Sequence, residues 1–230
     1  MAKRHKSEAG KLVAYFSPKS PVTEAYRILR TNIQFMSVDE PVKTLVVTSA
    51  GPQEGKTTTV SNLGITMAQS GSKVLLVDCD MRRPALHKSF KMDNIKGLTH
   101  ILRGDAVLEE AVQITGIANL SLLSSGPLPP NPVELMGSAR MRSLVSEMKD
   151  KFDMVVFDTP PAIAVADAVV LASYTDGVIM VINHGEVTPQ AANRVKDMLE
   201  NAKARILGVV LSGVPTNGDD SYYYYYYGKR

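Results

Sequence analysis

Only one cysteine, Cys79, occurs in the 230 residues, which excludes a disulfide framework and suits a reducing compartment. No apolar run approaches the ~20 residues needed to span a bilayer, and the N-terminus lacks the apolar stretch of a secretory signal. The expectation is a cytoplasmic chain that reaches a membrane only through its own surface or a partner. The four histidines, His5, His87, His100 and His184, show no metal-ligand spacing, and no internal repeat is present. The net charge of +3 is mild, so no nucleic-acid partner is expected. The basic residues that do gather, Lys3, Arg4, Lys6 and Lys11, suit either a solvated tail or contact with an acidic membrane surface.

What is present is organised around residues 44–59. A short apolar run, Leu45 to Val47, reads as a buried strand. A turn follows, and Gly55-Lys56-Thr57-Thr58 then opens a helix. This is a phosphate-binding loop with Ala50 in the first glycine slot. Residues Gly51, Pro52, Gln53, Glu54 and Gly55 form the loop whose small members let backbone N–H groups turn inward around phosphate oxygens. The helix N-terminus adds unpaired donors and a positive dipole end. Lys56 is placed to reach the β- and γ-phosphates, Thr57 to hold Mg²⁺, and Thr58 continues the motif.

Around this stretch the chain alternates strands and helices. Apolar runs ending at Asp78, Leu123, Asp158, Ile182 and Leu211 read as strands. Amphipathic stretches over 57–70, 138–151 and 188–202 read as helices, with Gly71 as a left-handed cap and Thr188-Pro189 as N-cap and first helical residue. Continuous β-branched runs between helices predict an α/β fold, mainly a parallel sheet with helices on both faces. Residues 1–22, broken by Pro18 and Pro21, read as an extended basic arm. From Thr23, a plausible N-cap, residues Ala25, Ile28, Leu29, Ile33 and Met36 recur at helical spacing. Glu24, Arg27 and Arg30 mark the opposite face, either simply solvated or used. Residues 81–112 read as irregular to helical, and 126–132, with four prolines, as a loop. The core domain spans 23–212, followed over 213–230 by a disordered tail. That tail carries six consecutive tyrosines, Tyr222, Tyr223, Tyr224, Tyr225, Tyr226 and Tyr227.

Three carboxylates, Asp78, Asp80 and Asp158, stand at strand C-termini, where ligands bind in open α/β sheets. Asp158 suits Mg²⁺ orientation. Asp78 and Asp80, two apart, are expected on one face of a strand, where they repel unless a cation or a proton lies between them. One then binds metal, in the set Thr57, Asp80 and Asp158, while the other accepts a proton from an incoming hydroxyl. Arg82 and Arg83 follow, either solvated or contacting phosphate or a partner. Cys79 reads as core filler.

Taken together, Gly51-Pro-Gln-Glu-Gly-Lys56-Thr-Thr, Leu-Leu-Val-Asp78-Cys-Asp80-Met-Arg-Arg-Pro, Val-Val-Phe-Asp158-Thr-Pro-Pro and the tyrosine cluster resemble the bacterial tyrosine kinases of capsule and exopolysaccharide synthesis, in their stand-alone form. Glu24-Ala-Tyr-Arg27-Ile-Leu-Arg30 matches that family's oligomerisation motif. The resemblance implies a P-loop NTPase fold and an enzyme that uses ATP and Mg²⁺ to phosphorylate tyrosine. It implies Lys56, Asp78, Asp80 and Asp158 as catalytic residues and Tyr222–Tyr227 as acceptors, phosphorylated in trans within a ring built through residues 23–36. It also implies a membrane-embedded activator protein, protein-tyrosine substrates and a phosphotyrosine phosphatase as partners. Related partitioning ATPases carry a Lys where this chain has Gly51, and relatives often place a base-recognising Asn where it has Ser212. Competing functions are an ATPase switch of the partitioning type and a nucleotide-bound adaptor of an export complex.

Overall fold

The computed structural model describes residues 12–36 and 41–215. The basic cluster at Lys3–Lys11 and the tyrosine cluster at Tyr222–Tyr227 lie outside them. In chain order the elements are α1 (Val13–Phe16), α2 (Pro21–Met36), β1 (Thr44–Ser49), α3 (Lys56–Gln69) and β2 (Val74–Asp78). Next come α4 (Leu86–Phe90), α5 (Leu98–Arg103), α6 (Leu108–Ala111), β3 (Val112–Ile114), β4 (Leu120–Leu123), α7 (Pro132–Gly137) and α8 (Ala139–Lys151). The last are β5 (Met154–Asp158), α9 (Asp167–Ala172), β6 (Gly177–Asn183), α10 (Pro189–Asn201) and β7 (Ile206–Ser212).

The strands form one sheet in the order β3-β4-β2-β5-β1-β6-β7. Every pairing is parallel except the edge pair β3·β4. The central strands are mainly apolar because both faces are covered, and side chains alternate between the two cores. Val46, Leu75, Val155 and Phe157 face one core, with Met141, Leu144, Leu171 and Val195 of α8, α9 and α10. Leu45, Val47, Leu76 and Val156 face the other, with Ile33 of α2 and Val60, Leu63 and Met67 of α3.

The expected βαβ unit, β1-α3-β2, is present, but its strands are not neighbours. Strand β5 lies between them, pairing with β1 through Val47↔Asp158 and with β2 through Asp78↔Asp158. The C-terminal ends of β1, β5 and β2 therefore meet side by side, and the phosphate loop and two carboxylates arrive at one place from distant parts of the chain.

Helix ends follow local chemistry. Ser138 and Thr188 each accept an N–H from three residues on, and Gly71 takes φ +99 beyond α3. Gly97 permits a close approach of backbones: a Cβ there would lie 2.2 Å from the Ser124 carbonyl oxygen.

The N-terminal segment departs from the expected extended arm. Leu12 and Ala14 are buried, and α1 forms a helical turn. Helix α2 starts at Pro21, not Thr23, because Ser20 Oγ accepts the Thr23 N–H at 3.1 Å, the geometry of a side-chain N-cap. The Thr23 hydroxyl instead donates to the Ser17 carbonyl at 2.8 Å. The buried stripe of α2 is also rotated from the expected one. Thr23 and Ile33 are buried, with Tyr26, Leu29 and Arg30 half-buried, while Ala25, Ile28 and Met36 are exposed. The cause is polar: Arg30 Nη1 donates to the Thr66 carbonyl of α3 at 2.9 Å. Within 81–112 the irregular stretch resolves into three short helices, and the proline-rich loop ends in α7, with Pro132 at the position where its missing N–H is harmless.

Candidate active site

The loop between β1 and α3 is held by its own side chains. Gln53 and Gly55 take left-handed φ of 63 and 92, a conformation glycine adopts without strain. The buried Glu54 Oε1 accepts the Gly51 N–H in a short hydrogen bond. Ser212 Oγ at the end of β7 donates to the Glu54 carbonyl at 2.7 Å. Ser212 is thus a tie between the last strand and the loop, and its hydroxyl is engaged away from the base-recognition role its position suggested. Lys56 Nζ donates to Ser49 Oγ at 2.8 Å and to the Gly51 carbonyl at 3.3 Å, so the loop contacts its own lysine. Burial lowers the Lys56 pKa, opposed by the charges of Asp158, Asp80 and Glu54.

Asp158, at the end of β5, accepts the Thr57 hydroxyl at 2.6 Å through Oδ2. Asp78, one strand away, accepts the Ala85 and Leu86 amides at 2.9 and 3.0 Å through Oδ2. The other oxygen of each, Asp158 Oδ1 and Asp78 Oδ1, is buried and has no hydrogen-bond partner among the described residues. Orphaned buried carboxylate oxygens are costly, and two side by side are more so. Burial pushes the Asp158 carboxyl up to about 7, against the Thr57 hydrogen bond and the Lys56 charge. Burial and the neighbouring Asp158 push Asp78 well above the carboxylate range. Cys79 is buried between the carboxylates, and burial raises its thiol pKa, as befits core filler.

Asp80 does not share a strand face with Asp78, because β2 ends at Asp78. The chain turns there, and Asp80 Oδ1 accepts the Arg82 and Arg83 amides at 3.2 and 2.9 Å. Asp80 is half-buried, whereas Asp78 is closed to solvent. Arg83 is exposed. Arg82 Nη2 reaches Asp167 Oδ2 at 3.5 Å. Asp167, at the start of α9, is buried, and its Oδ1 has no partner among the described residues. Its spacing from Asp158 carries no motif, so only the fold reveals it. Ser49 could have been found as the last polar residue of the strand feeding the loop.

A groove of about 870 Å³ opens beside the loop, lined by Gln53, Gly55 and Thr58, by Ser212 to Pro215, and by Ala25, Tyr26 and Leu29 of α2. Glu24 and Arg27 pair with each other at 3.0 Å on the outside of that helix, while Arg30 is turned inward.

A family model described as an AAA domain matches residues 42–207. The chain is 45% identical over 202 residues to the tyrosine-protein kinase YwqD of Bacillus subtilis (strain 168), covering 88% of this chain and 85% of YwqD. The kinase domain of the Escherichia coli tyrosine kinase ETK superposes with a TM-score of 0.87 at 35% identity, over 90% of this chain and 81% of that one. The chain belongs to the bacterial tyrosine kinases. A wider likeness reaches the septum site-determining protein MinD of Pyrococcus horikoshii OT3, solved with Mg-ADP. There the TM-score is 0.65 and the identity 25%, over 74% of the kinase and 70% of MinD. The kinase is a P-loop NTPase in fold, and among its described residues no helix is long and apolar enough to cross a membrane.

The raised carboxyls set a pH dependence. In the unfolded chain Asp158 ionises near the usual value of ~4, but in the folded nucleotide-free kinase only at about 7. Between these values the folded state binds more protons, so rising pH destabilises it. Asp158→Asn removes that slope. The gain in Tm of Asp158→Asn over wild type should grow by roughly 3–5 °C per unit from pH 5 to pH 7, then level off. A gain that does not change with pH would contradict the assignment.

Proposed function

We propose that the kinase transfers the γ-phosphoryl group of Mg-ATP to tyrosines of its own C-terminal cluster, Tyr222 to Tyr227, presented by a neighbouring copy. The observation that carries this reading is the pair of orphaned oxygens on Asp78 and Asp158 beside Lys56 and Thr57. A divalent cation answers their cost, and Mg²⁺ needs few protein ligands because nucleotide phosphates and water supply the rest. Thr57 and Asp158 would hold it, with Asp78 beside them. The bound cation would neutralise charge on the β- and γ-phosphates. The loop amides and the α3 N-terminus would cradle the phosphates, and Lys56 would leave Ser49 and Gly51 for them. The groove walls at Asn183 and Ser212 to Pro215 suit the nucleoside.

Each transfer forms a bond between the tyrosine oxygen and the γ-phosphorus and breaks that to the β–γ bridging oxygen. The phenol, of pKa ~10, must give up its proton on the way. The geometry favours Asp80 for this proton, since Asp78 is closed to solvent. In this reading Asp80 takes the proton, and the cation is left to Thr57 and Asp158 with Asp78 beside them. Each added phosphate carries about −1.5 to −2 charges, so a modified tail repels itself and the carboxylates, which would release it and loosen the oligomer.

The ring would form through the exposed side of α2. A membrane-embedded activator, other protein-tyrosine substrates, a phosphotyrosine phosphatase and control of capsule or exopolysaccharide export complete the reading on the strength of family membership. A second reading, an ATPase switch without transfer to tyrosine, is favoured by the likeness to MinD.

Incubation with ATP and Mg²⁺, with an activator's cytoplasmic segment added, should yield phosphotyrosine in wild type and none in Lys56→Met. Replacing all six tail tyrosines by Phe should abolish the signal while nucleotide still binds. An undiminished signal would move the acceptor elsewhere. Tyr15 would then be favoured, being exposed, while Tyr174 OH donates to the Met136 carbonyl.

For the oligomer, Arg27→Ala should shift the sedimenting species towards monomer at unchanged Tm. Arg30→Ala should lower Tm, because it breaks the bond to Thr66. An unaltered assembly in Arg27→Ala would place the interface off this helix.

A further inference from the structure

Helix α2 has been read as a surface for other copies, yet its inner side grips the phosphate-loop helix at defined points. Asn62, fully buried on α3, accepts the Ala14 amide at 2.9 Å through Oδ1 and donates to the Thr58 carbonyl at 2.8 Å through Nδ2. The Tyr26 hydroxyl shares hydrogen bonds with the side chains of Thr59 and Asn62. Arg30 holds the Thr66 carbonyl at 2.9 Å, and Gln69 Nε2 donates to the Ala14 carbonyl at 3.2 Å. The segment 12–36 thus clasps α3 at its first turn, its middle and its last turn.

The first of these contacts matters most for chemistry. Thr58 and Thr59 lie in the first turn of α3, whose amides would face phosphates in the proposed nucleotide site, immediately after Lys56 and Thr57. Helix α3 is otherwise seated by apolar side chains such as Val60 and Leu63, which resist removal from the sheet but set rotation and slide only loosely. Directional hydrogen bonds specify both. Tyr26 is the residue of α2 that supplies such bonds to the first turn. Burial raises its phenol pKa, against the hydrogen bonds with Thr59 and Asn62.

We propose that Tyr26 is a positioning residue that transmits the placement of α2 to the phosphate-loop helix through Thr59 and Asn62, and so sets nucleotide affinity from the N-terminal segment. The inference rests on the loop being a nucleotide site and not on tyrosine being the acceptor. It assigns a task to the one aromatic residue between Glu24 and Arg27. A displacement of α2 by a neighbour would be felt at the phosphate amides, because misplacement on the ångström scale at such a site costs orders of magnitude in rate.

Tyr26→Phe in the full chain keeps the ring and removes only the hydroxyl. It should weaken Mg-ADP binding about tenfold and lower Tm by only a few degrees, the scale of one to two lost hydrogen bonds. Hydrogen exchange of the nucleotide-free protein should rise at the amides of residues 57–61 and stay unchanged in the sheet. Thr59→Val should give a similar loss, and the double variant should be no worse than either single one. Affinity within twofold of wild type, or exchange raised uniformly, would overturn the proposal in favour of simple packing. If wild type binds no Mg-ADP, the nucleotide reading fails, while the exchange comparison still tests the coupling.

Discussion

Everything at the site depends on one constraint: strand β5 must lie between β1 and β2. The crossover from β1 to β2 skips one position, and that position is filled by β5, which begins 80 residues after β2 does. This puts Asp158 between the phosphate loop and Asp78 at the end of a sheet that is otherwise apolar. Two carboxylates in that setting cannot both ionise cheaply. Thr57 and Lys56 offset part of the cost, and the remaining oxygens face a position suited to positive charge. The sheet's apolar packing fixes the carboxylates side by side, and it is this pair that the proposed Mg-ATP reading rests on.

Much of this was legible from local order. A strand, a glycine-bearing turn and a lysine opening a helix are contiguous, so β1, the loop and α3 could be read directly. Asp158 ends an apolar run, and the Thr188-Pro189 cap starts α10 where its chemistry requires. What was hidden depends on distant contacts. The side-by-side pairing of Asp78 and Asp158 is a matter of strand order, which no local pattern carries. Asp80 looked like a strand partner of Asp78 because period-two alternation was extended two residues too far. Its own carboxylate, by holding two amides, turns the chain away. Strand β3 is three residues long at an edge and only partly covered, so it lacks a burial pattern to read.

Helix α2 shows how polar contacts mislead a hydrophobic-periodicity argument. Its apolar residues suggested a stripe through Ile28 and Met36, and its charges suggested an outward Arg30. Arg30 instead folds against α3, and Tyr26 turns inward with it, because α3 offers a carbonyl and polar side chains there. The helix is rotated by these bonds, leaving Glu24 and Arg27 on the outside. The motif is therefore divided between two tasks, with part facing outward and part fastening the helix to the catalytic domain.

The central claim is that the site passes phosphate from nucleotide to tyrosine and does not merely hydrolyse it. The most direct measurement is the ratio of phosphotyrosine formed to ADP released in a single turnover with radiolabelled γ-phosphate. A ratio near one, with little free phosphate, is the predicted result. ADP release accompanied by stoichiometric free phosphate and no labelled tyrosine would contradict the account.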